Sequence, residues 1–168
     1  MDPVPAAVLE FVVTRDFDAP RDLVWKAWTD VERLKHWWGP KGFTMLSCTN
    51  DLRPGGAFHY GMKAPNGSVM WGKWVYREIV PPVRLVFLSS FSNEKGDVTR
   101  APFSADWPLQ LLSTLGLAER GGPTRVTLRG VPHEATEAER KMFASYFGSM
   151  QQGWAGTLDQ LGEFLAKD

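Results

Sequence analysis

Residues 136–165 read TEAERKMFASYFGSMQQGWAGTLDQLGEFL, and the rest of the chain is best read outward from them. Phe143, Phe147, Met150, Trp154, Leu158, Leu161 and Leu165 recur at steps of 4, 3, 4, 4, 3 and 4. Because a helix turns once every 3.6 residues, that spacing draws one apolar stripe along it. Thr136 and Glu139 have the spacing of a capping box, in which each side chain satisfies an exposed backbone amide of the other. The predicted helix is continuous, roughly 30 residues and about 45 Å long. Gly148, Gly153 and Gly156 lie inside it, each costing up to about 1 kcal/mol relative to alanine. Two accounts of them stand open: close approach of the helix to a sheet, or space beside Trp154 for a ligand or a bend.

Upstream the pattern changes from helical period to short apolar runs divided by turn signals. Pro54-Gly55-Gly56, Pro65-Asn66-Gly67, Pro81-Pro82 and Gly121-Gly122-Pro123 punctuate residues 43–131 at hairpin scale. Asn66-Gly67 is the strongest of these, since a type I′ turn needs positive φ at both central positions. The predicted strands are 43–53, 56–63, 68–79, 83–91, 107–118 and 124–131, joined as an antiparallel meander. Val8 to Phe17, rich in β-branched and aromatic residues, predicts a first strand before them. Asp18 and Pro20 then open a helical stretch, with Asp18 as a candidate cap. Val24, Ala27, Trp28, Val31, Leu34 and Trp38 carry its stripe. Thr29-Asp30 is a second capping signal inside that stripe, which predicts two short helices ended by Gly39-Pro40. Ser92 to Asp106 reads as a loop, a candidate lid.

This order implies a cavity. A sheet of seven antiparallel strands curls as it grows, and one helix about 10 Å across cannot cover its concave face. Large side chains, the short helices or a bound molecule must fill what remains. Alternation puts Phe58, Tyr60 and Met62 on one face of their strand. In the next strand Met70, Gly72, Trp74 and Tyr76 form the inward set, because Trp71, Lys73, Val75 and Arg77 carry two charges. With Phe91, Met150 and Trp154 added, the candidate lining is Phe58, Tyr60, Met62, Trp74, Phe91, Met150 and Trp154. Arg15, Arg53, His59, Tyr60 and Arg77 are the polar groups that alternation could bury, although Arg53 can simply pair with Asp51. A pocket of this kind commonly uses one such group to fix the polar end of its ligand. In an enzyme, Tyr60 or His59 would be the acid or base.

Composition closes off other classes. Nineteen basic and nineteen acidic side chains cancel in 168 residues, which leaves no electrostatic footprint for nucleic acid. The eight Trp, ten Phe and three Tyr therefore read as core, pocket or interface, not as a base-stacking platform. The single Cys48 excludes an internal disulfide and fits a reducing, cytoplasmic setting. The N-terminus has no signal-peptide pattern, and no apolar run reaches the roughly 20 residues of a membrane helix. His36, His59 and His133 share no metal-ligand spacing with one another or with Cys48. Nucleotide fingerprints and a nucleophile elbow are also missing, so neither metal nor cofactor is expected.

Several stretches resemble one family. Thr14-Arg15-Asp16-Phe17-Asp18-Ala19-Pro20, Val24-Trp25-Lys26-Ala27-Trp28-Thr29-Asp30 and Trp37-Trp38-Gly39-Pro40 are similar to the opening of AHSA-type proteins. These are bacterial relatives of the activator of heat-shock-protein-90 ATPase, within the START-like or SRPBCC superfamily. Asp51-Leu52-Arg53-Pro54-Gly55-Gly56 resembles that family's hairpin, and Gln151-Gln152-Gly153-Trp154 with Leu158 and Leu161 its final helix. The resemblance runs from about Phe11 to Leu165. It implies an α+β helix-grip fold, like that of the birch-pollen allergen. In that fold a seven-stranded curved antiparallel sheet surrounds a long C-terminal helix, with two short helices after strand 1. The expectation is one domain over residues 1–168, with 1–7 a flexible N-terminus.

The function implied is binding of a small hydrophobic molecule, of lipid, polyketide or aromatic class, by a carrier or sensor. Two alternatives follow from the same resemblance: a polyketide cyclase, aromatase or hydrolase, and a co-chaperone module that stimulates a chaperone ATPase. No catalytic signature travels with these motifs, so fold analogy supports a class and not a reaction. Neither nucleic-acid binding nor membrane insertion is expected, while a homodimer through exposed tryptophans fits all three readings.

Overall fold

The computed structural model describes residues 10–167; the predicted flexible N-terminus and the first residues of strand 1, Val8 and Leu9, lie outside that range. The chain opens with β1 (Phe11–Phe17), followed by α1 (Arg21–Thr29) and α2 (Val31–Trp37). A meander follows: β2 (Thr44–Asn50), β3 (Ala57–Lys63), β4 (Val69–Val80) and β5 (Arg84–Ser92). It continues through a two-residue β6 (Val98–Thr99), β7 (Leu111–Glu119) and β8 (Thr124–Pro132), and α3 (Glu137–Ser145) and α4 (Phe147–Ala166) end the chain. The sheet order is β1-β8-β7-β5-β4-β3-β2, antiparallel throughout, with β6 paired to the outer end of β5. Thus β1 and β2 are the two edges, and α1 with α2 carries the chain from one to the other.

Local signals explain most of these elements. Asp30 caps α2 by accepting the Glu32 N–H at 3.0 Å, so the Thr29-Asp30 break does divide two helices. The capping box is present at the start of α3, with Glu139 N–H to Thr136 Oγ1 at 3.1 Å and Thr136 N–H to Glu139 Oε1 at 2.9 Å. Asp18, by contrast, does not cap α1; Pro20 occupies that position and offers only its carbonyl, to Leu23 and Val24. Along β4, Gly72, Trp74 and Tyr76 are buried on the concave face, which is the inward set that alternation predicts.

Three expectations change. The long C-terminal helix is broken at Tyr146, where the N–H bonds back to Phe143 O at 3.1 Å. Beside it, Ser145 Oγ bonds Met142 O at 2.7 Å, a local competitor that bends helices. The Ser92–Asp106 segment contains β6 and is anchored, its Ala101 buried with Phe11, Trp107 and Phe143 in a second hydrophobic cluster. β7 starts at Leu111, because Trp107 and Pro108 turn inward and belong to that anchored segment.

The larger cluster sits between the sheet, α1, α2 and α4, with Trp28 at its centre. Its ring lies 4.7 Å from that of Trp37, 6.1 Å from Trp74 and 6.4 Å from Trp154, between ring centroids. All eight tryptophans are buried or half-buried. No helix among the described residues is long and apolar enough to cross a membrane.

Candidate ligand cavity

The inner wall is built by the strand pattern. Tyr60 and Met62 project from β3, Trp74 from β4, Phe87, Ser89 and Phe91 from β5, and Ser113 from β7. Opposite them, α4 presents Met150 and Trp154 across an open space. The cavity they enclose measures about 490 Å³. Its outer rim is formed by Phe103, Trp107 and Tyr146, where the anchored segment meets the helix break. Phe103 is the most exposed of these at 50%, stacked on Tyr146 at 5.5 Å and edge-on to Trp107 at 5.4 Å.

α4 is held at its distance by polar ties to the turn after α2. Thr157 Oγ1 donates to Gly39 O at 3.1 Å, and Gln160 Nε2 donates to the same carbonyl at 2.7 Å. Gly39 has φ +117, and a Cβ there would stand 2.4 Å from Met62 Sδ, so glycine is required. This turn also divides the two adjacent tryptophans. Trp37 goes into the core at 1% exposure and donates to Ala27 O at 2.9 Å, whereas Trp38 swings onto the cavity wall. The centroid of Trp38 lies 4.8 Å from Trp74 and 5.5 Å from Trp154.

Of the seven residues named as lining, Tyr60, Met62, Trp74, Phe91, Met150 and Trp154 border the cavity. Phe58 does not. It is fully buried behind the wall, with ring centroids 5.1 Å from Tyr60 and 4.8 Å from Trp74, and it supports both rings. Sequence reasoning missed Trp38, Phe87 and Phe103 as wall residues. Two signals were usable: Phe87 shares the strand face of Phe91 by alternation, and one of two adjacent helical tryptophans must face away from the core. The three helical glycines are also resolved. A Cβ on Gly148 or Gly153 would meet nothing within 4 Å, and one on Gly156 would meet only the Lys41 side chain. None of them serves close approach to the sheet, and Gly153 borders the cavity.

The polar candidates separate sharply. His59 lies on the outer face of the sheet, stacked on Trp71 at 5.2 Å and donating from Nε2 to Asn93 O at 3.0 Å. Lys73, on the same face, donates to Gly96 O at 2.8 Å. Arg15 pairs with Asp159, Arg53 with Asp51 at 2.8 Å, and Arg77 is exposed. Tyr60 alone of the five borders the cavity. Burial pushes its phenol up to about 12, an effect that the neighbouring Trp38 indole N–H partly offsets. That N–H is itself buried and falls short of hydrogen-bond geometry with any partner. Ser89 and Ser113 place their hydroxyls 3.4 Å apart elsewhere on the wall. Among the described residues that border the cavity, none carries a charged side chain. No group of three or more His, Cys, Asp or Glu among the described residues could hold a metal ion.

Residues 18–166 match the family described as Activator of Hsp90 ATPase homolog 1-like protein. The chain belongs to this family. Solved structures agree with the membership. A protein from Nitrosomonas europaea is 27% identical, with 94% of each chain covered and a TM-score of 0.75. One from Arthrobacter aurescens is also 27% identical, over 99% of this chain and 91% of its own, at a TM-score of 0.77. A third, from Mycobacterium smegmatis, is 26% identical over 94% and 90%, at 0.75. No curated protein matches the chain. In this member of the Activator of Hsp90 ATPase homolog 1-like family, the START-like sheet and the closing helix are therefore the shared frame. The aromatic wall is what this sequence places inside it.

Proposed function

We propose that this protein binds a small hydrophobic molecule in the cavity between the sheet and α4, in a carrier or sensor role. One observation carries the reading: a space of about 490 Å³ walled by aromatic and methionine side chains. Ligand pockets commonly enclose about 300–1,000 Å³ and are mostly apolar with a few placed polar groups. Tyr60, Met62, Trp74, Phe91, Met150 and Trp154 are the proposed contacts, and Phe103 with Tyr146 stands where a ligand would enter. Family membership supports a ligand-binding or cyclase-like class of function. The uncharged wall favours binding over acid–base catalysis, because Tyr60 holds its proton and His59 faces away.

The test is native mass spectrometry with a thermal-shift screen of lipids and polycyclic aromatics. A ligand that binds only the folded state stabilises it by about 2.7 kcal/mol at a hundred times its Kd. Retained mass together with a saturable rise in Tm is expected for at least one compound class. A flat response across the whole panel, with no retained mass, would overturn the proposal.

A further inference from the structure

Resting on that reading of the cavity, we infer that its ligand is an uncharged, ring-containing molecule with a hydrogen-bond acceptor, which the Tyr60 hydroxyl holds. The inference concerns charge, shape and one polar point, each carried by a separate observation.

Charge comes first. The side chains that border the cavity offer rings, thioethers and hydroxyls, and no cation among them. The cations nearest the wall are engaged elsewhere, Arg100 beside the rim among them, where it pairs with Glu139. Lys73 is on the outer face, bonded to Gly96 O, and Arg15 and Lys41 both pair with Asp159 beyond the turns of α4 that face the cavity. An ionised carboxylate seated against this wall would give up hydration with no ion partner to replace it. A free fatty acid is thus a poor fit, although its tail would not be.

Shape follows from the wall. The rings of Trp38, Trp74 and Trp154 meet at steep angles, 81° between Trp38 and Trp74 and 54° between Trp38 and Trp154. Such a set offers both faces and edges to a guest, the arrangement in which a flat ring system gains most from offset and edge contacts. A flexible chain would lose more conformational freedom for the same contact.

The polar point is Tyr60. Its ring lies across Gly72, and a Cβ on that glycine would stand 2.4 Å from Tyr60 Oη, so the phenol is pinned against the strand. The Trp38 indole is a polar neighbour of the hydroxyl, and an indole N–H can only donate. The phenolic proton has no acceptor among the described residues. The Ser89 and Ser113 hydroxyls, by contrast, lie 3.4 Å apart and can answer each other, while the unpartnered Ser90 hydroxyl is a second donor on the wall that Tyr60→Phe leaves in place. Tyr60 keeps its proton at any physiological pH, so it offers a ligand a donor and never a charge.

Three probes with one skeleton separate the possibilities: fluorenone, fluorene and fluorene carboxylate, measured by equilibrium dialysis against the full chain. Fluorenone should bind about fivefold to tenfold more tightly than fluorene, as one neutral hydrogen bond provides. The carboxylate should bind at least about tenfold more weakly than fluorenone. In Tyr60→Phe the ketone and the hydrocarbon should bind alike, with an unchanged urea denaturation midpoint reporting an intact fold. A carboxylate as tight as the ketone, or a ketone preference that survives Tyr60→Phe, overturns the inference and leaves the cavity as a ligand site. Failure of all three probes and of the lipid panel overturns the cavity reading itself.

Discussion

Tyr60 and Gly72 face each other across β3 and β4, and Gly61 faces Trp71 one residue further on. Each ring lies over the glycine opposite it, one on the inner face of the hairpin and one on the outer. A Cβ on Gly61 would stand 2.5 Å from the Trp71 ring, as one on Gly72 would stand 2.4 Å from Tyr60 Oη. The sheet has exchanged two side chains for two well-seated aromatics, a known compensation for glycine within strands. Gly72→Ala should therefore cost about 1–3 kcal/mol, as overpacking does, because the ring can move only into the cavity it borders. The identical substitution at Gly153 should act the other way. Nothing lies within 4 Å of its would-be Cβ, so alanine should stabilise the helix by up to about 1 kcal/mol. Urea denaturation of both variants checks the pair, and a gain at Gly72 or a loss at Gly153 would contradict this account.

At the scale of elements, the segment between β5 and β7 matters most. It is joined to α3 by an ion pair of Arg100 with Glu139, and Arg100 also donates to Trp107 O at 3.3 Å. Glu139 thus serves twice, in the capping box that starts α3 and in the tie that holds the rim of the cavity. The backbone N–H of Thr136 and then the Arg100 guanidinium hold its carboxyl below the ordinary glutamate value of 4.5. A carboxyl lowered in the folded state adds stability that is complete above its unfolded value and is lost as pH falls through its folded one. Glu139→Gln should therefore melt below the wild type at neutral pH. The gap should close as pH drops below the ordinary glutamate value, because protonation then does to the wild type what the substitution did. Thermal melts from about pH 7 to about pH 3 read this directly; a gap that stays constant would show that the charge contributes nothing.

For the molecule as a whole, Trp28 is the joint. It is fully buried on α1 and lies within 6.4 Å, between ring centroids, of Trp37 on α2, Trp38 after it, Trp74 on β4 and Trp154 on α4. Its ring brings the two short helices, the sheet and the closing helix to one place. Trp28→Ala should cost about 3–5 kcal/mol, a large fraction of the roughly 5–15 kcal/mol that holds a domain folded. Guanidinium titration followed by tryptophan emission should show the midpoint fall sharply; a loss under about 1 kcal/mol would mean that the layers pack independently.

Much of this was legible in the chain itself. The alternation of Tyr60 with Met62 and of Gly72 with Trp74 appears as written, because strand geometry alone sends successive side chains to opposite faces. The capping box at Thr136, the break at Asp30 and the stripe from Met150 to Leu165 are likewise local, set within one or two turns of backbone. What lay beyond reach depends on residues far apart in sequence. β1 pairs with β8 across more than a hundred residues, and nothing near Phe11 specifies Gly130. Phe58 and Tyr60 share a strand face, yet only Tyr60 reaches the cavity, because Trp74 and the turn at Gly39 decide which ring is covered. The helix breaks at Tyr146 where Phe103 and Trp107 pack against it, and neither contact has a trace in the helical period. Sequence by itself determined most of the elements, their faces and the grip of a helix on a curved sheet. Only the tertiary structure decided that the grip leaves space, since a cavity is the small difference between the volume the frame encloses and the volume its side chains fill. No local pattern encodes that difference.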